Sequence, residues 1–432
     1  MTMVISTLRP KPAHTQIKMA SFSLVLSFAI LLSGLGPALA SNCYESLISF
    51  GDSITDTGNL FHLSGGNPRG GSGQPPYGET YFHRSTGRFS DGRLIIDFIA
   101  EALGLPLVLP YAGGAKQSGD GFKYGVNFAV GGATALDSGA SNKMGLLVIN
   151  GYSMKVQMGW FKKLLPSLCA SASECKDMLG KSLLLVGEIG GNDYYDALMQ
   201  RKTLDELHDL VPNVVSVIGS TITELIGMGA RTIVVPGNFP VGCSPALLTS
   251  FQNSSGSDYD TSTGCIKWLN EFAEYQNSKL QEELHSLREQ HPSATIIYAD
   301  YYNATMSIFR SPASFGFRKE EVLKACCGGG GPNNYNLTLQ CSDSRAKVCD
   351  DPSEYVSWDG VHMTEAAYKT ISNNLLAGHL AMPIVNNTCP RIAQKIGVDQ
   401  HTSGVGVGFL ATRDVTVWFI FVIFYLMYFI VM

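Results

Sequence analysis

Charge is scarce in this 432-residue chain: Asp, Glu, Lys and Arg make up 16% of it and the net charge is −5. No long basic run breaks that balance, so the electrostatic footprint of a nucleic-acid-binding protein is missing. The glycine fingerprint of a dinucleotide fold and the P-loop are also absent, which leaves nucleotide cofactors without a cradle. Cysteines do not come as paired C-x-x-C arms and no histidine stands beside them, which argues against structural zinc. No metal or organic cofactor is expected. There is no internal repeat and no Gly/Ser-rich linker dividing two cores. What remains is 45% hydrophobic sequence with 46 glycines, many in short clusters between apolar runs. That is ample for a buried core and unlike a disordered chain.

Cysteine is also absent from the first 42 residues. Arg9, Lys11 and Lys18 there precede an apolar stretch from Phe22 to Leu35, which runs on to Ala38-Leu39-Ala40. A basic start, an apolar centre and a small-x-small exit describe a secretory signal peptide, with cleavage expected after Ala40 and Met19 as an alternative start. The apolar run falls short of the ~20 residues of a membrane helix. All ten cysteines follow that cut. An even number behind a leader suggests disulfides in an oxidising compartment. Cys169 with Cys175 and Cys341 with Cys349 are near enough to close locally, although spacing does not assign pairs. Sequons at Asn253, Asn303, Asn336 and Asn386 suit a secreted glycoprotein. At the far end, residues 415–432 are uncharged and apolar, within the range of a membrane span. With Ser403-Gly404 and a polar spacer they also resemble a GPI-attachment signal, and a misread gene end is the third reading. The expected layout is a leader over 1–40, one domain over 41–390, a linker over 391–414 and this tail.

Within the domain, short apolar runs alternate with amphipathic segments. Strands are expected at Leu47 to Phe50, Gly125 to Ala129, Ser182 to Gly187, Thr232 to Val235 and Thr295 to Tyr298. Helices are expected at Asp91 to Leu103, Met154 to Leu165, Leu204 to Met228, Gly264 to Gln290 and Thr364 to Leu376. Such alternation predicts a parallel sheet with helices on both faces. Cys326 to Asp351, rich in Gly, Asn and Cys, reads as an irregular excursion held by disulfides.

Ligands of open parallel sheets bind beyond the carboxyl ends of the strands. Ser53 falls there, in Gly51-Asp52-Ser53-Ile54-Thr55-Asp56-Thr57-Gly58-Asn59. So do Gly131-Gly132 and Gly190-Gly191-Asn192-Asp193, and Trp358-Asp359-Gly360-Val361-His362 precedes the last helix. A hydroxyl, a base with a nearby carboxylate and backbone-rich loops make up the parts of acyl transfer. Each fragment alone has a plainer reading: a turn for Gly-Asp-Ser, a helix start for His362, an N-cap for Asp359. Their order and placement at strand ends favour the joint one. Asp52, Asp56 and Asn59 read as supports of the turn, and Asp193 as a cap. His62, His83, Tyr77, Tyr81, Tyr194 and Tyr195 are loop residues that could face a substrate.

These four blocks resemble those of the GDSL esterase/lipase family of SGNH hydrolases, over roughly Ser46 to Leu380, with Ile54 where that family carries leucine. Gly237-Asn238-Phe239-Pro240-Val241-Gly242-Cys243 is similar to its plant branch, and the Ser53 block to the group containing sinapine and acetylajmalan esterases. The resemblance implies a three-layer, flavodoxin-like α/β/α fold and a secreted serine esterase acting on small-molecule or lipid esters. It implies Ser53 as nucleophile, His362 as base and Asp359 as its orienting carboxylate. The oxyanion would be held by the backbone N–H groups of Ser53 and Gly132 and by the Asn192 amide. An acyltransferase with the same site, or a glycoprotein that binds lipid or glycan without turnover, are the competing readings.

Overall fold

Five of the apolar runs are strands: β1 Ser46–Phe50, β2 Gly125–Asn127, β3 Ser182–Val186, β4 Thr232–Pro236 and β5 Thr295–Ala299. All but the first residue of β5 are buried, which is why they read as continuous rather than alternating apolar sequence. The structure, a computed structural model, describes residues 43–66, 71–114, 121–147, 151–252, 255–378, 380–382 and 389. The leader, the 391–414 linker, the 415–432 tail and the sequons at Asn253 and Asn386 lie outside them. Asn303 and Asn336 are exposed.

The strand order is β2-β1-β3-β4-β5, all parallel, in a single register that sets Ile48 beside Val126 on one side and Leu184 on the other. This is the flavodoxin-like order, and its direction reverses next to β1. The sheet departs from the fully parallel expectation at one edge, where β6 (Ala381–Met382) pairs antiparallel with β5. The helices that flank the sheet include α1 Ile95–Leu103, α2 Met154–Leu168, α3 Gly191–Met199, α4 Leu204–Met228, α5 Lys267–Gln290, α6 Tyr301–Arg310 and α7 Glu365–Leu376. Successive strand residues point to opposite faces. Ile48, Phe50, Leu184, Val186 and Ile233 pack with α2, α4 and α5 on one face. Leu47, Leu183, Leu185, Val234 and Ile297 pack with α1, α6 and α7 on the other.

Capping explains the helix ends. At α4, Thr203 Oγ accepts the Glu206 N–H while Glu206 returns a carboxylate to the Thr203 N–H at 2.7 Å, a reciprocal box that fixes the start. Helix α1 begins at Ile95 rather than Asp91, because Asp97 takes the Leu94 N–H at 2.9 Å and the buried Arg88 guanidinium at 2.8 Å. Asp91 instead accepts the N–H of Glu365, the first residue of α7, at 2.7 Å.

The ten cysteines form five disulfides: Cys43–Cys389, Cys169–Cys175, Cys243–Cys265, Cys326–Cys349 and Cys327–Cys341. The local Cys169–Cys175 closure is present. Cys341 and Cys349 do not join each other. A short antiparallel ladder pairs Cys327 with Val348, and this carries Cys349 to Cys326 and leaves Cys341 to Cys327.

Candidate active site

After β1 the chain turns sharply. The Asp52 carbonyl accepts the N–H groups of Thr55 and Asp56, at 3.2 and 2.9 Å, and its Oδ1 accepts that of Ile54 at 3.0 Å. Gln157 of α2 grips the turn from behind: its Oε1 accepts the Gly51 N–H at 2.9 Å and its Nε2 donates to the Gly51 carbonyl at 2.8 Å. Asp56 collects the N–H groups of Gly58, Asn59, Leu60 and Gly131. Burial still pushes its carboxyl up to about 6. Asn59 donates to the carbonyls of Asn127 and Ala129, both at 2.8 Å. The loops after β1 and β2 are thereby sewn together, and Ser53 and Gly132 line one cavity. Gly132 sits at φ +75°, a conformation that favours glycine.

The last loop reaches the same place. His362 Nε2 lies 2.8 Å from Ser53 Oγ, and His362 Nδ1 lies 2.7 Å from Asp359 Oδ2. Asp359 Oδ1 accepts the N–H groups of His362 and Val361, at 2.8 and 3.0 Å. The Tyr77 hydroxyl donates to Asp359 Oδ2 at 2.8 Å. Burial alone would push the Asp359 carboxyl up, but the His362 imidazole and the N–H donors outweigh it and hold the group below the usual carboxylate range. The Phe89 ring covers the imidazole at 4.6 Å. Cys326 N–H and Cys327 N–H donate to the Ser357 and Trp358 carbonyls, so two disulfides fasten the loop that carries this pair.

The three groups expected to hold an oxyanion stand in two conditions. The backbone N–H groups of Ser53 and Gly132 make no hydrogen bond among the described residues. Asn192, at the start of α3, lines the same cavity, but its amide donates to Asp52 Oδ2 at 3.0 Å and to the Ala133 carbonyl at 2.9 Å. Behind it, Glu188 stands against Asp52. Burial first and then mutual repulsion raise Asp52 well above its ordinary value, and burial raises Glu188 to about 7. Two adjacent buried carboxyls of this kind hold one proton between them at neutral pH.

Asp193 was expected to cap; instead its carboxylate accepts the N–H groups of Ala135 and Leu136, at 2.8 and 3.0 Å, and ties α3 to the loop after Gly132. Tyr194 and Tyr195 line the cavity. Tyr81 is exposed with Arg93 over its ring, His83 bonds the Glu79 carbonyl, and His62 packs over Gly113; none of the three lines the cavity. Sequence reasoning missed Gln157 and Glu188. A glutamine and a glutamate inside apolar segments were the available hints. The cavity is about 500 Å³, walled mostly by apolar side chains such as Leu60, Phe239, Leu247 and Phe309. Among the described residues no cluster of side chains could hold a metal ion.

A family model described as GDSL-like lipase/acylhydrolase matches residues 47–375. The chain belongs to the GDSL-like lipase/acylhydrolase family. It is a carboxylic ester hydrolase of that family. Two GDSL esterase/lipases of Arabidopsis thaliana are similar to it. One is 51% identical over 379 residues, covering 87% of this chain and 94% of the relative. The other is 54% identical over 348 residues, covering 81% and 88%. A sinapine esterase of Brassica napus is 46% identical over 371 residues, covering 85% and 94%.

Proposed function

We propose that this GDSL enzyme is secreted and hydrolyses carboxylic esters through an acyl-Ser53 intermediate. The observation that carries the reading is the unbroken chain Ser53 Oγ, His362 Nε2, His362 Nδ1, Asp359 Oδ2, with spacings of 2.8 and 2.7 Å, beside two uncommitted backbone N–H groups. A serine hydroxyl is a weak nucleophile until a base takes its proton. Ser53 Oγ bonds to the ester carbon as His362 Nε2 accepts that proton, and the carbonyl π pair moves onto oxygen. Asp359 holds the ring so that Nε2 faces the hydroxyl, and it stabilises the imidazolium. When the tetrahedral centre collapses, the alcohol leaves with the proton from Nε2. Water then repeats the sequence on the acyl group and returns the proton to Ser53 Oγ. The N–H groups of Ser53 and Gly132 receive the oxyanion. Asn192 joins them by turning an amide hydrogen away from Asp52, since apo hydrogen bonds in such sites tighten only as the reaction proceeds.

Secretion is supported by the leader and by ten cysteines that are all disulfide-bonded, as an oxidising compartment allows. Exposed sequons at Asn303 and Asn336 are compatible with glycosylation there. The test is turnover of activated short-chain esters by purified Ser53→Ala protein. The proposal expects loss of roughly 10³-fold or more with an unchanged Tm; near-wild-type rates would remove Ser53 from the mechanism.

A further inference from the structure

The wall of the cavity is not uniformly apolar. Asn238, just after β4, and Gln276, from α5, both line it, and Asn238 Nδ2 donates to Gln276 Oε1. That bond leaves Asn238 Oδ1 and Gln276 Nε2 with no partner among the described residues. Turning both amides over exchanges the two roles and still leaves one donor and one acceptor. Glu188 lines the same cavity, and its Oε1 is buried without a hydrogen-bond partner. Glu188 and Gln276 are each only 5% exposed. Between these groups the chain places Gly191. A Cβ there would come within 3.0 Å of Glu188 Oε1 and 3.4 Å of Asn238 Oδ1. The missing side chain keeps that gap open.

Polar atoms on an apolar wall are costly to leave unpaired. A free donor beside free acceptors matches a hydroxyl, which donates and accepts through one oxygen. An ammonium group offers donors only and would face the amide hydrogens; a carboxylate offers acceptors only and would face Glu188. We propose that Asn238, Gln276 and Glu188 form a specificity subsite for a hydroxyl carried by the ester, so that hydroxylated esters are preferred over plain alkyl ones. The proposal rests on the Ser53-centred reaction above and adds the chemical class of its substrate. An alkyl ester of equal length displaces water from the recess and leaves its polar groups unpaired, which is how sites built to bind a hydroxyl reject analogues lacking it.

The experiment compares matched esters in two arms. In one, p-nitrophenyl esters of C6 to C10 acids are paired with their terminal-hydroxyl counterparts. In the other, acetates of C6 to C10 alcohols are paired with the monoacetates of the corresponding diols. The arms distinguish a hydroxyl on the acyl half from one on the alcohol half. At the best-fitting length in one arm, the hydroxylated ester should lead by roughly tenfold or more in kcat/KM. Gln276→Leu should bring that ratio close to one by slowing the hydroxylated partner. Asn238→Ala provides a second variant, because the Asn238 backbone stays anchored to the Asn277 side chain through both its N–H and its carbonyl. Equal kcat/KM within every pair in both arms overturns the proposal. So does a preference that survives both substitutions. Hydrolysis of the same esters by Ser53→Ala protein would instead overturn the reaction on which it rests.

Discussion

Replacing Glu188 by glutamine removes a proton that the fold is built to keep. Asp52 already accepts N–H donors from Ile54 and Asn192, at 3.0 Å each. Burial raises both Asp52 and Glu188, Asp52 the further of the two, so the pair shares one proton. Facing Glu188 are Asp52, Asp193 and the phenols of Tyr194 and Tyr301, none of them a cation. Burial therefore raises the Glu188 carboxyl from 4.5 to about 7. Between those values the folded state holds a proton that the unfolded chain has already released, so stability falls as pH rises through the interval. The rise bounds the effect at about 3 kcal/mol, at 1.36 kcal/mol per tenfold change. Glutamine keeps an N–H donor toward Asp52 and has no proton to lose. Thermal melts from pH 5 to pH 8 should therefore show a smaller fall in Glu188→Gln than in wild type, by roughly 5 °C. Its kcat/KM should also persist to higher pH, because no second negative charge develops behind Asn192. A variant that melts in parallel with wild type across this range, and loses activity at the same alkaline pH, would refute the shared proton.

Gln157→Leu should strand the Gly51 N–H and carbonyl, each unsatisfied group costing about 1–3 kcal/mol; a Tm within 1 °C of wild type would show that the clamp is not needed. Asn192→Ala should lower kcat by roughly 10² with little change in KM, as removal of one oxyanion donor does. An unchanged kcat would mean that its amide never leaves Asp52 and Ala133.

The strands were legible because burial on both faces leaves short apolar runs, and α4 because its apolar residues recur with a long helical period. Helices α3 and α6 escaped notice. Gly191-Asn192 reads as a turn although it opens α3, and Tyr301–Arg310 follows β5 with only Asp300 between them. Ser53, Gly132, Asp359 and His362 drew attention through the order of their motifs along the chain, and the structure brings Ser53, Gly132 and His362 to one cavity with Asp359 2.7 Å from the imidazole. Partners across the sheet were not recognisable. Gln157 meets Gly51 from 106 positions away and Tyr77 meets Asp359 from 282, and nothing local encodes either meeting. The commitment of the Asn192 amide to Asp52 was hidden for the same reason. Cys341 and Cys349 are near enough to join, but the ladder register that pairs each of them elsewhere is not revealed by spacing.

Covalent capture decides the main point most directly. A fluorophosphonate should add once to the folded enzyme, and peptide mapping by mass spectrometry should place the adduct on the oxygen of Ser53, with labelling slowed when His362 is replaced by alanine. An adduct on another residue, or rapid ester turnover by protein that takes up no label, would contradict the account.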